Sequence, residues 1–284
     1  ISGGTFSSVV KEEYCADGFS PVTNPDSDGK YTVEVANDMT VKIMDANGND
    51  VAAYATLAEA LTHVTSGQTI VLLDNIQYSG KVSIPKGVTL DGNGKSITAT
   101  SDITSGAFIE VMTDNVTIKD LVVNTDGTAK HGIQFYCTES GGLSGVTVNG
   151  GSNTSVIVNG STDIRIENCT LNPDSGAYAN IEYAMGSDVT TVPSVTVSNP
   201  KYDSGKPLVY VDSDTIKAIT NKENPSDDDI TDALKEVNSK VTISGMEMVW
   251  VNGSFVARPI PTPVDPDDDD DNDNNNSGSS SSGS

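Results

Sequence analysis

The chain has 284 residues, with 40 acidic side chains against 16 lysines and arginines and a formal net charge of −24. That balance argues against nucleic acid and anionic membrane as partners, since both would be repelled. No apolar run reaches the roughly 18 residues that a membrane-spanning helix needs, so the length suits one elongated domain with accessory segments.

Residues 1–50 read as N-terminal β segments. Within them, Asn24-Pro-Asp-Ser-Asp-Gly-Lys-Tyr-Thr-Val-Glu34 offers Asn24, Asp26 and Asp28 as oxygen ligands before Gly29, a calcium candidate. Its glutamate comes one residue early for an EF-hand. Asp28-Gly29 ahead of an alternating run reads equally as a hairpin turn. Next comes a helix over 56–66. Thr56 and Glu59 stand in a capping-box arrangement, Leu57, Ala60, Leu61 and Val64 share one face, and Gly67 follows as the stop.

From Thr69 the pattern changes to short alternating segments. The first coil begins at 69–76 and the next spans Val82–Ile97. Four stretches then repeat one apolar pattern: Val116–Asn124, Leu143–Asn149, Ile164–Asn172 and Val192–Asn199. Laid over one another, Ile118, Leu143, Ile166 and Val192 share a column. So do Leu121, Val146, Cys169 and Val195, and then Val123, Val148, Leu171 and Val197. A period of this size marks a solenoid, in which each coil covers its neighbour's apolar face. Each coil also carries a third segment, at Phe108–Val111, Ile133–Phe135, Val156–Val158, Ile181–Tyr183 and Leu208–Tyr210. Three short strands per coil, with no room for a helix, specify an all-β fold. It is a single-stranded right-handed parallel β-helix over 51–212, capped by the N-terminal helix. Leucine-rich repeats have a similar period, but their leucine and asparagine spacing is absent.

Asn124, Asn149 and Asn172, with Ser198 fourth, form a further column. Either they hydrogen-bond from coil to coil as side-chain ladders do, or asparagine simply suits a turn. On the third segment the outward positions are Glu110, Gln134, Ile157 and Glu182, with Tyr136 and Asn159 outward two residues on. Polar and aromatic groups repeated along a long sheet suit a sugar chain, so Glu110, Gln134, Tyr136, Asn159 and Glu182 are the candidate ligand-binding residues; a merely soluble face is the alternative.

Residues 213–260 form the C-terminal cap. Pro225–Asn238 reads as a helix with Ser226 as N-cap, acids in its first turn, and an apolar stripe of Ile230, Ala233, Leu234 and Val237. Met248–Ala257 reads as a hairpin about Asn252-Gly253, with the lone Trp250 packed in the cap. Residues 261–284 read as a disordered, acidic and Ser/Gly-rich linker. Three cysteines give no disulfide framework; Cys169 in its apolar column and Cys137 at an inward parity read as core filler.

Three parts of this chain resemble a repeated module of secreted surface proteins from Gram-positive gut bacteria. They are Tyr54–Ile76 (capping helix and first coil), Val88–Thr98 (next coil) and Ile1–Glu34 (the segment that closes one module before another). Residues 105–212 resemble the general pectate-lyase-like β-helix. The resemblance implies a secreted, cell-wall-associated location, one unit of a longer multi-module chain, and polysaccharide or host surface protein as partner.

Pectinolytic enzymes share that architecture. Asn124-Thr-Asp-Gly127, followed by His131-Gly132, looks like the first motif of polygalacturonases, in which the aspartate helps to activate water; here that residue is Asp126. The paired aspartates expected one coil later are missing from Val156–Ser161. Coils stack about 4.8 Å apart, so Glu110 and Glu182, three coils apart, lie about 14 Å apart, too far for the about 5–9.5 Å of a glycosidic pair. Arg165 is outward but on a different segment from those acids. His63 and His131 have no ligand-spaced companions. The residues therefore favour a non-catalytic surface module, adhesive or spacer and glycan-binding. A polysaccharide hydrolase or lyase is the alternative. No cofactor is implied beyond the calcium candidate.

Overall fold

A computed structural model describes residues 1–125 and 127–261. Asp126 and the acidic segment from residue 262 on, including the expected linker, lie outside the described residues.

The alternating apolar positions build a β-solenoid of about five turns. Each coil passes through three sheets in the same order. The first sheet has nine strands, the second six and the third eight. One coil illustrates the path: Val116–Lys119 lies in the first sheet, Val122–Asn124 in the second and Ala129–Tyr136 in the third. Successive coils pair in parallel. Ile118 stands opposite Leu143 and Leu143 opposite Ile166, while Val123 stands opposite Val148 and Val148 opposite Leu171. These columns point inward and are almost wholly buried. In the third sheet the column Val111, Phe135, Val158 and Tyr183 fills the core, and the buried Tyr183 hydroxyl donates to the Pro193 carbonyl at 2.7 Å.

The fourth coil departs from the sequence alignment. Ile164 pairs with Val195, Ile166 with Val197 and Leu171 with Tyr202. Val192 therefore lies outside the column, and Val195 and Val197 belong to the first sheet, not the second. The coil is longer because residues 185–194 form a loop, which the Tyr183–Pro193 bond anchors. Alternation of period two is the same in every sheet, so it cannot say to which sheet a strand belongs.

Left-handed residues mark the true register. Asp120, Gly145, Asn168 and Asn199 all have positive φ at the turn from the first sheet to the second. Asn115, Ser140 and Asp163 repeat this before the first sheet, and Cys137 and Gly160 after the third. Gly, Asn and Asp adopt this conformation at least cost, so the corner between the first and second sheets is a column of these residues, while Ser140 and Cys137 are exceptions at the other two corners. Cys137 is consequently exposed and not an inward residue, because the chain leaves the strand at Tyr136. Cys169 is buried in its apolar column, as its position implies.

The asparagine column is a hydrogen-bonded ladder. Asn172 donates to Asn149 and Asn149 to Asn124, both at 2.9 Å, and Asn124 donates to the Thr98 hydroxyl at 3.0 Å. Ser198 is not its fourth member; it pairs with Glu167 in the first sheet.

Both ends are covered. At the N-terminal end, strands 41–44 and 50–54 add an antiparallel hairpin to the first sheet, and α1 (Leu57–His63) buries Leu57 and Ala60. Thr56 accepts from the Glu59 amide at 3.2 Å, but no bond returns from the Glu59 carboxylate among the described residues. The helix is shorter than the expected 56–66. It ends at extended Val64, where two β-branched residues follow one another, and Gly67 sits in the next turn, donating to the Gly87 carbonyl. Residues 1–36 fold as a small antiparallel sheet over a core of Val10, Phe19, Val33 and Ala53. A side chain at Gly18, which has φ 75°, would begin 2.1 Å from the Ala53 carbonyl oxygen, so only glycine allows this approach.

At the other end, α2 (Ser213–Thr220) was not expected from the sequence. Asp212 caps it, accepting from the Thr215 amide at 2.7 Å, and Ile216 is buried. α3 (Asp227–Lys240) has the expected Ser226 cap, completed as a box by Asp229, and buries Ala233 and Val237. Strands 246–251 and 254–259 form the expected hairpin, with positive φ at both Asn252 and Gly253. Trp250 lies edge-on to Phe255 with ring centroids 5.6 Å apart, yet keeps 43% of its surface exposed.

Candidate functional site

Alternation along the third sheet places one residue per coil in an outward row. The register runs Glu110, Gln134, Ile157, Glu182 and then Tyr210. Tyr136, Asn159 and Ala184 form the next row. The structure thus brings all five candidate ligand-binding residues onto one face, but in different states. Glu110 forms an ion pair with Lys81 at 2.7 Å. Ile157 interrupts the polar row and is buried. Asn159 accepts from the Gly186 amide at 3.0 Å, fixing its carboxamide toward the loop after Ala184. Three strand spacings separate Glu110 from Glu182, so these two acids do not form a pair.

Glu182 is only 9% exposed although it points outward. The segment before its strand folds over it, and the Tyr178 hydroxyl donates to Oε2 at 2.6 Å. Burial pushes the Glu182 carboxyl above the usual carboxylate range, with the Tyr178 bond opposing and Asp212 adding to the rise. Burial, helped by the Glu182 bond, also raises the Tyr178 phenol. The Tyr178 ring leans on Tyr210 at a centroid distance of 5.3 Å.

His131 completes this cluster. A side chain on Gly132 would point at Val148 in the core, so His131, one residue earlier, faces away from it. Its Nδ1 lies 2.7 Å from the Thr154 hydroxyl, which itself donates to the Val156 carbonyl at 3.0 Å. That network assigns the imidazole proton to Nδ1. Nε2 then presents a lone pair 3.8 Å from Glu182 Oε2. Burial, with a smaller contribution from Lys130, holds the His131 pKa at about 4, so the ring is neutral at ordinary pH. His131, Tyr178, Tyr210 and Asp212 were not singled out as part of this face by the sequence. Only Tyr210 carried a signal, as the next outward position in the row.

Beyond Glu182 the face opens into a groove of about 900 Å³, between the third sheet, the loop after Ala184 and α2. Ile157, Ala184, Met185 and Val189 supply apolar lining; Asn159, Glu182 and Asp212 supply polar groups. Other candidates lie apart from it. Arg165 is exposed on the first sheet and pairs with Asp163 at 3.4 Å. In the loop of Asn24, Asp26 and Asp28, Asp26 Oδ1 accepts from the amides of Asp28 at 2.9 Å and Lys30 at 2.8 Å. Asp45 repeats this in the next hairpin, accepting from Asn47 and Asn49. The hairpin-turn reading therefore describes the loop, and among the described residues no three His, Cys, Asp or Glu side chains gather to hold a metal. Asp126 lies outside the described residues.

No family model, curated protein or solved structure matches this chain.

Proposed function

We propose that this protein is a non-catalytic extracellular surface module, an adhesive or spacer β-helix of a secreted, wall-associated bacterial protein, that binds glycan on the outer face of its third sheet. The sequence likeness to pectate-lyase-like modules of Gram-positive gut bacteria supports the location. One observation carries the binding role: the outward row from Glu110 to Tyr210, broken at Ile157 and flanked by Tyr136 and Asn159, carries polar and aromatic groups at the strand spacing and ends in a groove. Aromatic rings and amides at fixed spacing suit the C–H faces and hydroxyls of successive sugars. The test is binding to a panel of plant, microbial and mucin polysaccharides. Alanine at Gln134 and Tyr136 together is expected to lower affinity at least ~10-fold; unchanged affinity overturns the reading.

The buried Glu182 favours one second reading, a polysaccharide hydrolase or lyase. A carboxyl held above its usual range suits a proton donor. Its partner would have to come from outside the row, because Glu110 is three strands away and paired with Lys81. Asp126 is the residue to change first. Soluble oligosaccharides released by the wild type and lost in Asp126→Asn would establish this reading, and an unchanged release rate would eliminate Asp126 from it. Neither reading requires a cofactor; calcium at Asn24, Asp26 and Asp28 would have to compete with the two amides that Asp26 accepts from.

A further inference from the structure

We propose that the groove beside α2 binds a saccharide bearing a free primary amine, with the Glu182 carboxylate receiving the ammonium group. This rests on the glycan reading above and names the class of sugar.

The argument is one of charge and unfilled hydrogen-bonding capacity. Glu182 Oε2 is taken by Tyr178, while Oε1 has no hydrogen-bond partner among the described residues. Asp212 uses Oδ1 to cap α2, and its Oδ2 has none either. Both acids line the groove. Two lysines also line it, but each is already neutralised. Lys217 sits 3.2 Å from Asp214 and 3.7 Å from Glu223, and Lys222 sits 2.7 Å from Asp229. His131, beside Glu182, is kept neutral with its lone pair toward the acid, and the exposed Lys130, whose charge is felt at His131, does not line the groove. The groove is thus a partly desolvated negative site whose lining, among the described residues, carries no unpaired cation. No buried side-chain oxygen among the described residues lacks a partner, so the free oxygens of Glu182 and Asp212 open to the groove, where an incoming cation can reach them.

The rest of the lining selects what carries the cation. Ile157, Ala184 and Met185 offer an apolar floor for the C–H face of a pyranose ring. Asn159 has its carboxamide oxygen fixed by the Gly186 amide and its NH₂ without a partner among the described residues, a donor for a sugar hydroxyl. An ammonium supplies three donors to the carboxylate oxygens, whereas an N-acetyl group brings no charge and more bulk.

The test is calorimetric titration of the whole protein with β-1,4-linked glucosamine oligomers and their fully N-acetylated counterparts, across a pH series from mildly acid to neutral, since the amine must be protonated while the raised Glu182 carboxyl is ionised. The amine form is expected to bind at least ~10-fold tighter than the acetylated form. Glu182→Gln, which keeps an acceptor for Tyr178, is expected to erase that difference. Asp212→Asn, which keeps the helix cap, is expected to reduce it; circular dichroism shows that each variant is folded. Equal affinity for the two oligomers overturns the inference, as does full amine preference in a folded Glu182→Gln. If neither oligomer binds but panel polysaccharides bind through Gln134 and Tyr136, the inference falls and the glycan reading stands. If no saccharide binds at all, both fall.

Discussion

Replacing Asn149 by alanine tests whether the second sheet is held by its ladder or only by the apolar columns beneath it. Asn149 makes two ladder hydrogen bonds, to Asn124 and from Asn172, both at 2.9 Å. Asn172, at the end of the ladder, makes only one. A hydrogen bond contributes about 0.5–1.5 kcal/mol net, so Asn149→Ala should cost about 1–3 kcal/mol and Asn172→Ala about half that. Urea unfolding followed by circular dichroism measures both. Thermodynamic cycles sharpen the result. Asn124 and Asn149 are bonded and should show a coupling near one bond, whereas Asn124 and Asn172 share no bond, so their coupling should be smaller, within about 0.5 kcal/mol. If Asn149→Ala costs no more than Asn172→Ala, the amides are satisfied by water and the ladder is only a consequence of register.

Phe135 is fully buried between neighbours of its column, so Phe135→Ala should destabilise by about 3–5 kcal/mol in the same unfolding assay; a loss below about 1 kcal/mol would mean that the core collapses to fill the space. Burial raises the Cys169 thiol to about 11, so iodoacetamide at mildly alkaline pH should modify the exposed Cys137 and leave Cys169 intact until the protein unfolds; mass spectrometry finding Cys169 labelled in the native state would contradict its burial. For His131 the folded pKa is about 4 against 6.5 for the free side chain. Between those values the unfolded chain takes a proton that the folded one refuses. This contribution is therefore fully present above pH 6.5 and is lost on acidification, by roughly 3 kcal/mol at most. Glu182, whose pKa is raised, works in the opposite sense by protonating first in the folded state. NMR titration of the imidazole should show its midpoint near 4, and a midpoint near 6.5 would refute the buried neutral ring. The Lys222 and Ser226 contacts lower Asp229 to about 2, so its support of the α3 cap should persist above about pH 4 and fade as pH falls toward 2, read from the Asp229 carboxyl by NMR.

The solenoid was legible because burial imposes a repeated pattern on the chain. Inward positions must be apolar once per coil in each sheet, and Ile118, Leu143 and Ile166 record that directly. Much of the end caps was legible for a similar reason, α2 excepted: Thr56, Ser226 and Asn252-Gly253 are chosen by backbone groups only a few residues away. The fourth coil was misaligned because alternation carries no sheet label. The column of left-handed residues, Asp120, Gly145, Asn168 and Asn199, would have set the register, since a corner of this kind cannot slide along the chain.

The candidate site was only half legible. Strand parity put Glu110, Gln134, Tyr136, Asn159 and Glu182 on one outward face. It could not show that Lys81 neutralises Glu110, that Tyr178 covers Glu182, or that α2 walls a groove beside it. The sequence by itself determined the coil, its inward columns and its outward rows, because those depend on which residues can be withdrawn from water at a fixed period. The tertiary structure alone decided which outward acids are paired, buried or open. That depends on a lysine of the preceding coil, on a loop that folds back over the strand it precedes, and on a helix of the next coil, whose contacts leave no periodic trace in the chain.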